Sequence, residues 1–231
     1  MRLFKRSAQY SCELNQPTER RTMAQPVPSQ ERLAPPPTFH FEVDGGLTEW
    51  NVPAKEWLTR NRENIRERQL KLDGLATGNI VFNPEGRVLI IQRASNDSMP
   101  NRWEIPGGAV DDEDPTILYG AAREMWEESG LVAKRFSHLV TEGPEGRDLQ
   151  VFPNSKETRW FCRFTFDVEV ESYSYVRLDP TEHQDFAWAS EEEIRAQKIG
   201  NRELPITNKA MLSLILESFR LKKEMNRSWV S

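Results

Sequence analysis

The sequence predicts a mixed α/β (α+β) fold in which a central mixed sheet is sandwiched between helices. Three observations carry that expectation. Runs rich in β-formers occupy 77–82, 88–92 and 158–170, an apolar-periodic segment with helix-cap signals spans 114–130, and two further helical patterns follow residue 190. A chain of 231 residues is long enough for one well-buried domain with extensions, and it carries no internal repeat.

Each element is legible in order. Residues 1–37 are rich in Pro, Gln, Ser and charge and end in Pro35-Pro36-Pro37, the composition of a disordered extension. Thr38–Val43 reads as a short edge strand and Pro53–Leu72 as a helix with Trp57, Leu58, Ile65, Leu70 and Leu72 on one side, so 38–74 forms a strand-helix extension. The basic face of that helix is either solvated or a contact for an anionic substrate. Thr77–Phe82 and Val88–Gln92 are strands, and Asn83-Pro84-Glu85-Gly86 between them is turn chemistry, which predicts a hairpin. Trp103-Glu104-Ile105-Pro106 is a short extended piece. Gly107-Gly108 then marks unusual torsions or a close backbone approach.

Asp114 fits a helix N-cap and Pro115 the first helical position, while Gly130 fits the stop. Ile117, Leu118, Ala121, Ala122 and Met125 keep helical spacing, and Gly120 among them implies close packing. Phe136–Val140 is a strand, Gly143–Lys156 a mobile loop, Thr158–Val170 a long alternating strand and Asp185–Trp188 a last short one. Ser190-Glu191-Glu192-Glu193 is a capping box, and Pro205–Asn208 opens a final helix with a tail over 221–231.

Composition narrows the function classes. Hydrophobic residues make up 37% and charged residues 29%, no apolar run reaches transmembrane length, and the net charge of -5 argues against broad DNA binding or other nucleic-acid binding. Cys12 and Cys162 lie far apart without metal-ligand spacing, which points to a reducing, cytoplasmic setting. Arg2, Lys5 and Arg6 resemble a weak mitochondrial presequence interrupted by Glu13 and Glu19, and Met23 is an alternative start. His40, His138 and His183 are too scattered for a zinc site.

The chemistry is concentrated in Arg123-Glu124-Met125-Trp126-Glu127-Glu128-Ser129-Gly130-Leu131. On a helix, Glu124, Glu127 and Glu128 project from one face, and like charges at that spacing weaken a bare helix. Ligation of a hard divalent cation turns that repulsion into binding, because Mg²⁺ takes oxygen ligands. A solvated acidic face is the plain alternative.

With the preceding Gly-Gly bend and capped helix, the segment resembles the Nudix hydrolase (MutT-like) box, G-x5-E-x7-R-E-U-x-E-E-x-G-U with U aliphatic. Gly108 matches the first glycine, and Arg123, Glu124, Met125, Glu127, Glu128, Gly130 and Leu131 match the second half. Trp103–Gly107 is similar to the family's W-x-L-P-G entry. The first box glutamate is replaced: Asp114 or Glu113 stands in for it, and the interval to Arg123 is one residue longer than the pattern.

The resemblance implies a Nudix α/β/α sandwich over 75–220 and a Mg²⁺- or Mn²⁺-dependent pyrophosphohydrolase acting on a nucleoside diphosphate linked to another moiety. It implies Glu124, Glu127 and Glu128 as metal ligands and catalytic groups, and Arg123 as the residue that holds them. Gly107 and Gly108 would lie against the metal-phosphate cluster. Glu182, or Asp185 nearby, is the candidate for a further acidic group from a later loop. Arg93 is either a phosphate contact or half of an ion pair, and Trp103 and Trp126 either stack on a base or pack in the core. His183 is read as a surface or packing histidine rather than a site residue. Partners are expected to be small nucleotides rather than DNA or membrane, and the protein a monomer or homodimer. The competing readings are a nucleotide-sensing Nudix module that does not cleave and an isopentenyl diphosphate isomerase-like enzyme, the latter weakened by Cys162 lying mid-strand.

Overall fold

The computed structural model describes residues 37–143, 149–154 and 156–228. The extension over 1–36 and loop residues 144–148 and 155 lie outside the described residues.

The described chain opens with β1 (Glu42–Val43), a 3-10 turn over Gly45–Trp50, α1 (Ala54–Arg60) and α2 (Arg62–Glu67). The single helix expected over 53–72 is therefore two. Asn61 leaves helical geometry at φ -95° and ψ 6°, and its amide donates to the Trp57 carbonyl at 3.0 Å. Asn side chains compete for backbone hydrogen bonds in this way, which is why they break helices. Trp57 anchors α1, packing edge-on against Phe164 with centroids 4.8 Å apart.

β2 (Gly74–Ile80), β3 (Val88–Arg93) and β4 (Trp103–Glu104) follow. The turn at 83–86 forms as the residues dictate: Gly86 has φ +74° and donates to the Asn83 carbonyl at 2.9 Å. The hairpin does not continue beyond one bridge at Phe82 and Val88 and one bond from Leu89 to Val81. The reason is competition for the edge of β2. Thr77 N–H donates to Gly108, Asn79 N–H to Pro106, and Val110 N–H to Leu75, so the glycine bend takes the place a hairpin partner would have filled. β3 instead pairs antiparallel with β4 and β8 (His183–Ala189) in a second, three-stranded sheet.

α3 (Ile117–Ser129), β5 (Ala133–Val140), β6 (Gln150–Pro153) and β7 (Trp160–Val170) lie between β4 and β8. The segment expected as loop over 143–156 contains β6, paired antiparallel with the start of β7. The main sheet is mixed, in the order β1-β5-β7-β2, parallel at β1–β5 and β7–β2 and antiparallel at β5–β7. α4 (Glu191–Ala196), the short pair β9 (Lys198–Ile199) and β10 (Arg202–Glu203), and α5 (Lys209–Ser228) complete the chain. α5 runs past 220, so the first residues of the expected tail are helical. Ser190 caps α4 in the anticipated box with Glu193.

Alternation along β3 shows how two layers are held. Leu89 and Ile91 join one core with α3, β5 and β7, while Val88 and Ile90 join the other with α4 and α5. All four are fully buried. Each such side chain contributes roughly 1.5–3 kcal/mol of burial, so β3 pins both helical layers to the sheets. The result is an α/β/α sandwich. No helix among the described residues is long and apolar enough to cross a membrane.

Candidate active site

The site is assembled where α3 ends against the glycine bend. Thr116, not Asp114, caps α3, its hydroxyl accepting from Tyr119 N–H at 3.1 Å. Asp114 has other partners: it accepts from Asp111 N–H at 2.8 Å and from Arg123 Nε and Nη2 at 3.0 and 2.8 Å. It is buried, whereas Glu113 is exposed, so Asp114 stands in the place of the first box glutamate. Its carboxylate lies over Gly120, where an added Cβ would stand 2.8 Å from Oδ2, which accounts for a glycine inside the helix.

The two bend glycines meet different neighbours. Gly107 has φ +152°, and a Cβ there would fall 2.2 Å from the Thr77 carbonyl oxygen. A Cβ on Gly108 would fall 2.3 Å from Glu124 Oε2. The bend is thus clamped between β2 and the carboxylates of α3, and only glycine fits at either position. Gly107 N–H donates to Glu128 Oε2 at 2.6 Å.

Arg123 organises the rest. Its Nη1 donates to Glu124 at 2.9 Å and to Glu127 at 3.0 Å, while its Nη2 reaches the Ala109 carbonyl at 3.0 Å. One fork therefore joins helix, bend and Asp114, using the planar donor geometry of a guanidinium. The Asp114 bonds raise the pKa of Arg123, so it stays charged.

Burial pushes Glu124 up to about 7, against the pull of Arg123, with Glu127 and Glu182 adding to the rise. Burial pushes Glu128 well above the usual carboxylate range, against the Gly107 bond and helped by Glu104, Glu124 and Glu182. Clustered, dehydrated carboxylates of this kind are the donor set a divalent cation relieves.

The tightest group differs from the one expected. Arg123 Nη1 holds an oxygen of Glu124 and an oxygen of Glu127 side by side. Among the described residues, the close group is Glu128, Glu182 and His183, whose ligand atoms lie within 4.8 Å of one another. His183 is only 2% exposed, so it is internal as expected of a packing residue, but it sits beside the carboxylates. Its Nε2 stands 3.6 Å from Glu104 Oε1 and 3.8 Å from Glu128 Oε1. Asp185 is turned away and pairs with Arg202.

Two expected substrate contacts need correction. Trp103 is fully buried, and the Arg202 guanidinium covers its ring at 4.4 Å, so no face is open to a base. Arg93 spends its two terminal nitrogens on Glu104 and on Asp97, the latter at 2.5 Å, which makes it an ion-pair residue at the wall of the site. Trp126 packs against the core and carries Arg177 over its ring at 5.3 Å.

A cleft of about 550 Å³ reaches the carboxylates through Glu104, which stands in its wall and 3.6 Å from His183 Nε2. Glu104, Arg93 and Arg163 from the strands, Phe152 from β6, and Asn208 and Met211 near the start of α5 line it. The Arg163 guanidinium sits 4.8 Å from the Phe152 ring centre, and its Nε is buried with no hydrogen-bond partner. Burial lowers the Arg163 pKa, and Glu104 and Glu128 oppose that. Sequence reasoning missed Glu104, Phe152 and Arg163. The signal for two of them was a charged residue inside a strand pattern, at Glu104 between Trp103 and Ile105 and at Arg163 between Cys162 and Phe164.

A glycine bend and an acidic helix end, mounted on a mixed sheet between helical layers, define a Nudix-type fold. The comparisons agree. The family model for the NUDIX domain matches residues 73–209. A MutT-like protein of Streptomyces ambofaciens is 41% identical over 61 residues, which are 26% of this chain and 36% of that protein. Phosphatase NudJ of Escherichia coli (strain K12) is 30% identical over 114 residues, covering 49% of this chain and 67% of NudJ. Among solved structures, the MutT protein from Methanosarcina mazei Go1 is 24% identical, with a TM-score of 0.46 over 67% of this chain and 99% of that one. The chain belongs to the Nudix hydrolase family.

Proposed function

We propose that this protein is a Mg²⁺- or Mn²⁺-dependent pyrophosphohydrolase that cleaves the diphosphate of a nucleoside diphosphate linked to another moiety. The observation that carries the reading is the gathering of Glu124, Glu128 and Glu182 at the Gly107–Gly108 bend, with a cleft of about 550 Å³ whose wall includes Glu104 beside them. That volume falls within the range of small-molecule sites.

Glu124, Glu127, Glu128 and Glu182 would hold divalent cations. Bound there, such cations neutralise phosphate charge and acidify a water for in-line attack. The protein's own part follows from its geometry. Arg123 and Asp114 fix the bearing of Glu124 and Glu127, while Gly107 fixes Glu128. A carboxylate of the cluster left free by the cations would orient the attacking water or accept its proton. Gly108 leaves room for the Glu124 carboxylate to lie against the backbone of the bend. Arg163, braced over the Phe152 ring, supplies a cation in the cleft wall for a phosphate of the substrate.

The test is turnover. Incubation with Mg²⁺ or Mn²⁺ and a panel of nucleoside triphosphates, nucleotide sugars, ADP-ribose and dinucleoside polyphosphates should release mono- and diphosphate products. Glu127→Gln and Glu128→Gln should each abolish most of it. Tight nucleotide binding without cleavage of any panel member would instead favour a sensor.

A further inference from the structure

We infer that His183 is a nitrogen ligand, completing a mixed Glu128–Glu182–His183 site that takes a divalent ion accepting imidazole, such as Mn²⁺ or Co²⁺, in preference to Mg²⁺. The inference rests on the metal-dependent reading above and adds a ligand type that the acidic helix does not supply.

Three observations carry it. The ligand atoms of Glu128, Glu182 and His183 lie within 4.8 Å of one another. Two ligands on one ion at ordinary bond lengths are separated by at most about 4.3 Å, so a few tenths of an ångström of side-chain rotation closes the site. Second, His183 is 2% exposed, and neither of its ring nitrogens has a hydrogen-bond partner among the described residues. A buried imidazole without a partner is costly, and Nε2 faces the acidic group rather than an apolar wall. Third, the nearer carboxylate, Glu104 Oε1 at 3.6 Å from Nε2, also answers to a second cation. Glu104 pairs with Arg93, whose second nitrogen holds Asp97. That leaves Glu128, together with exposed Glu182 on the solvent side, to share an ion with the ring.

The donor set decides the metal. Mg²⁺ binds oxygen and holds its water tightly, whereas imidazole suits later first-row ions. Mn²⁺ and Co²⁺ accept both donor types. Carboxylates alone would leave Mg²⁺ a strong competitor at cellular concentrations; one imidazole tilts the balance away from it.

The experiment uses the full chain, loaded with Mn²⁺ alone, and reads the metal directly. Pulsed electron paramagnetic resonance on protein carrying ¹⁵N-labelled histidine should show coupling of one histidine nitrogen to bound Mn²⁺. In His183→Asn that coupling should vanish. Mn²⁺ and Co²⁺ affinity should fall about tenfold or more, while Mg²⁺ affinity changes less than about threefold. His183→Gln gives a second variant should the first fold poorly, and the wild-type spectrum decides the matter without either. Bound Mn²⁺ with no histidine coupling overturns the inference, as does an unchanged Mn²⁺-to-Mg²⁺ affinity ratio in a folded variant. Histidine-coupled Mn²⁺ in a protein that hydrolyses none of the panel supports the metal site and overturns only the hydrolase reading.

Discussion

Arg123 shows how much one side chain can organise. It carries hydrogen bonds to Asp114, Glu124, Glu127 and the Ala109 carbonyl, and it is only partly reachable by solvent. Its replacement by Lys keeps the charge but loses the fork, so Arg123→Lys should cut kcat about tenfold to a hundredfold with little change in substrate KM, measured by steady-state kinetics. Glu124 yields a pH prediction. Its folded pKa of about 7 lies above the ordinary carboxylate value of about 4.5. Between those values the folded state keeps a proton that the unfolded chain releases. Without metal, stability should therefore be greatest at the acid end of that window and fall as pH rises through 7, by on the order of 2–3 kcal/mol. Urea melts at pH 5 and pH 8 should show the fall, and Glu124→Gln should flatten it. A wild type equally stable at both values would remove the case for a dehydrated Glu124.

Among the elements, the glycine bend is the one whose backbone leaves least freedom. A Cβ on Gly107 would stand only 2.2 Å from the Thr77 carbonyl oxygen, and its torsion favours glycine. Gly107→Ala should lose about 2 kcal/mol or more of stability and should loosen Glu128, read as a lower melting temperature together with weaker Mn²⁺ binding. The element scale also shows what could be read from residues and what could not. The acidic helix with its Gly130 stop, the Gly-Gly bend, both central strands and the Ser190 box were legible because each is specified by neighbours in sequence, whereas the cap proved to be Thr116 rather than Asp114. The split of the 53–72 helix at Asn61 rests on one side-chain hydrogen bond. The failure of the β2–β3 hairpin rests on Pro106–Val110 taking the β2 edge, a long-range competition that turn chemistry does not report. Trp103 illustrates the same limit: its pattern fitted base stacking and core packing equally, and only Arg202 over its ring decides. His183 and Arg163 entered the site for the opposite reason, since strands distant in sequence bring them beside Glu128.

At the scale of the whole molecule, ligand and fold are linked. A cation that binds only where Glu128 and Glu182 are brought together stabilises the folded state by mass action, about 2.7 kcal/mol at a hundred times its dissociation constant. Mn²⁺ should therefore raise the melting temperature of the wild type, and Glu128→Gln should lose most of that rise, by calorimetry. The cleft makes a separate prediction at this scale, because it is built from β6, β7 and α5 rather than from the acidic helix. Arg163→Gln should raise KM about tenfold or more for nucleotide substrates while leaving Mn²⁺ affinity near that of the wild type; equal losses in both would place Arg163 in the metal site instead.

The parallel pairing of β2 with β7 joins residues 74–80 to residues 161–167. During synthesis the acidic helix can wind as soon as its own residues emerge, but the floor beneath its glycine bend waits for a strand made some eighty residues later. The chain thus acquires its chemistry in two instalments, a local one early and a distant one late. A ribosome paused before residue 160 would carry the complete box and still lack the wall against which it works.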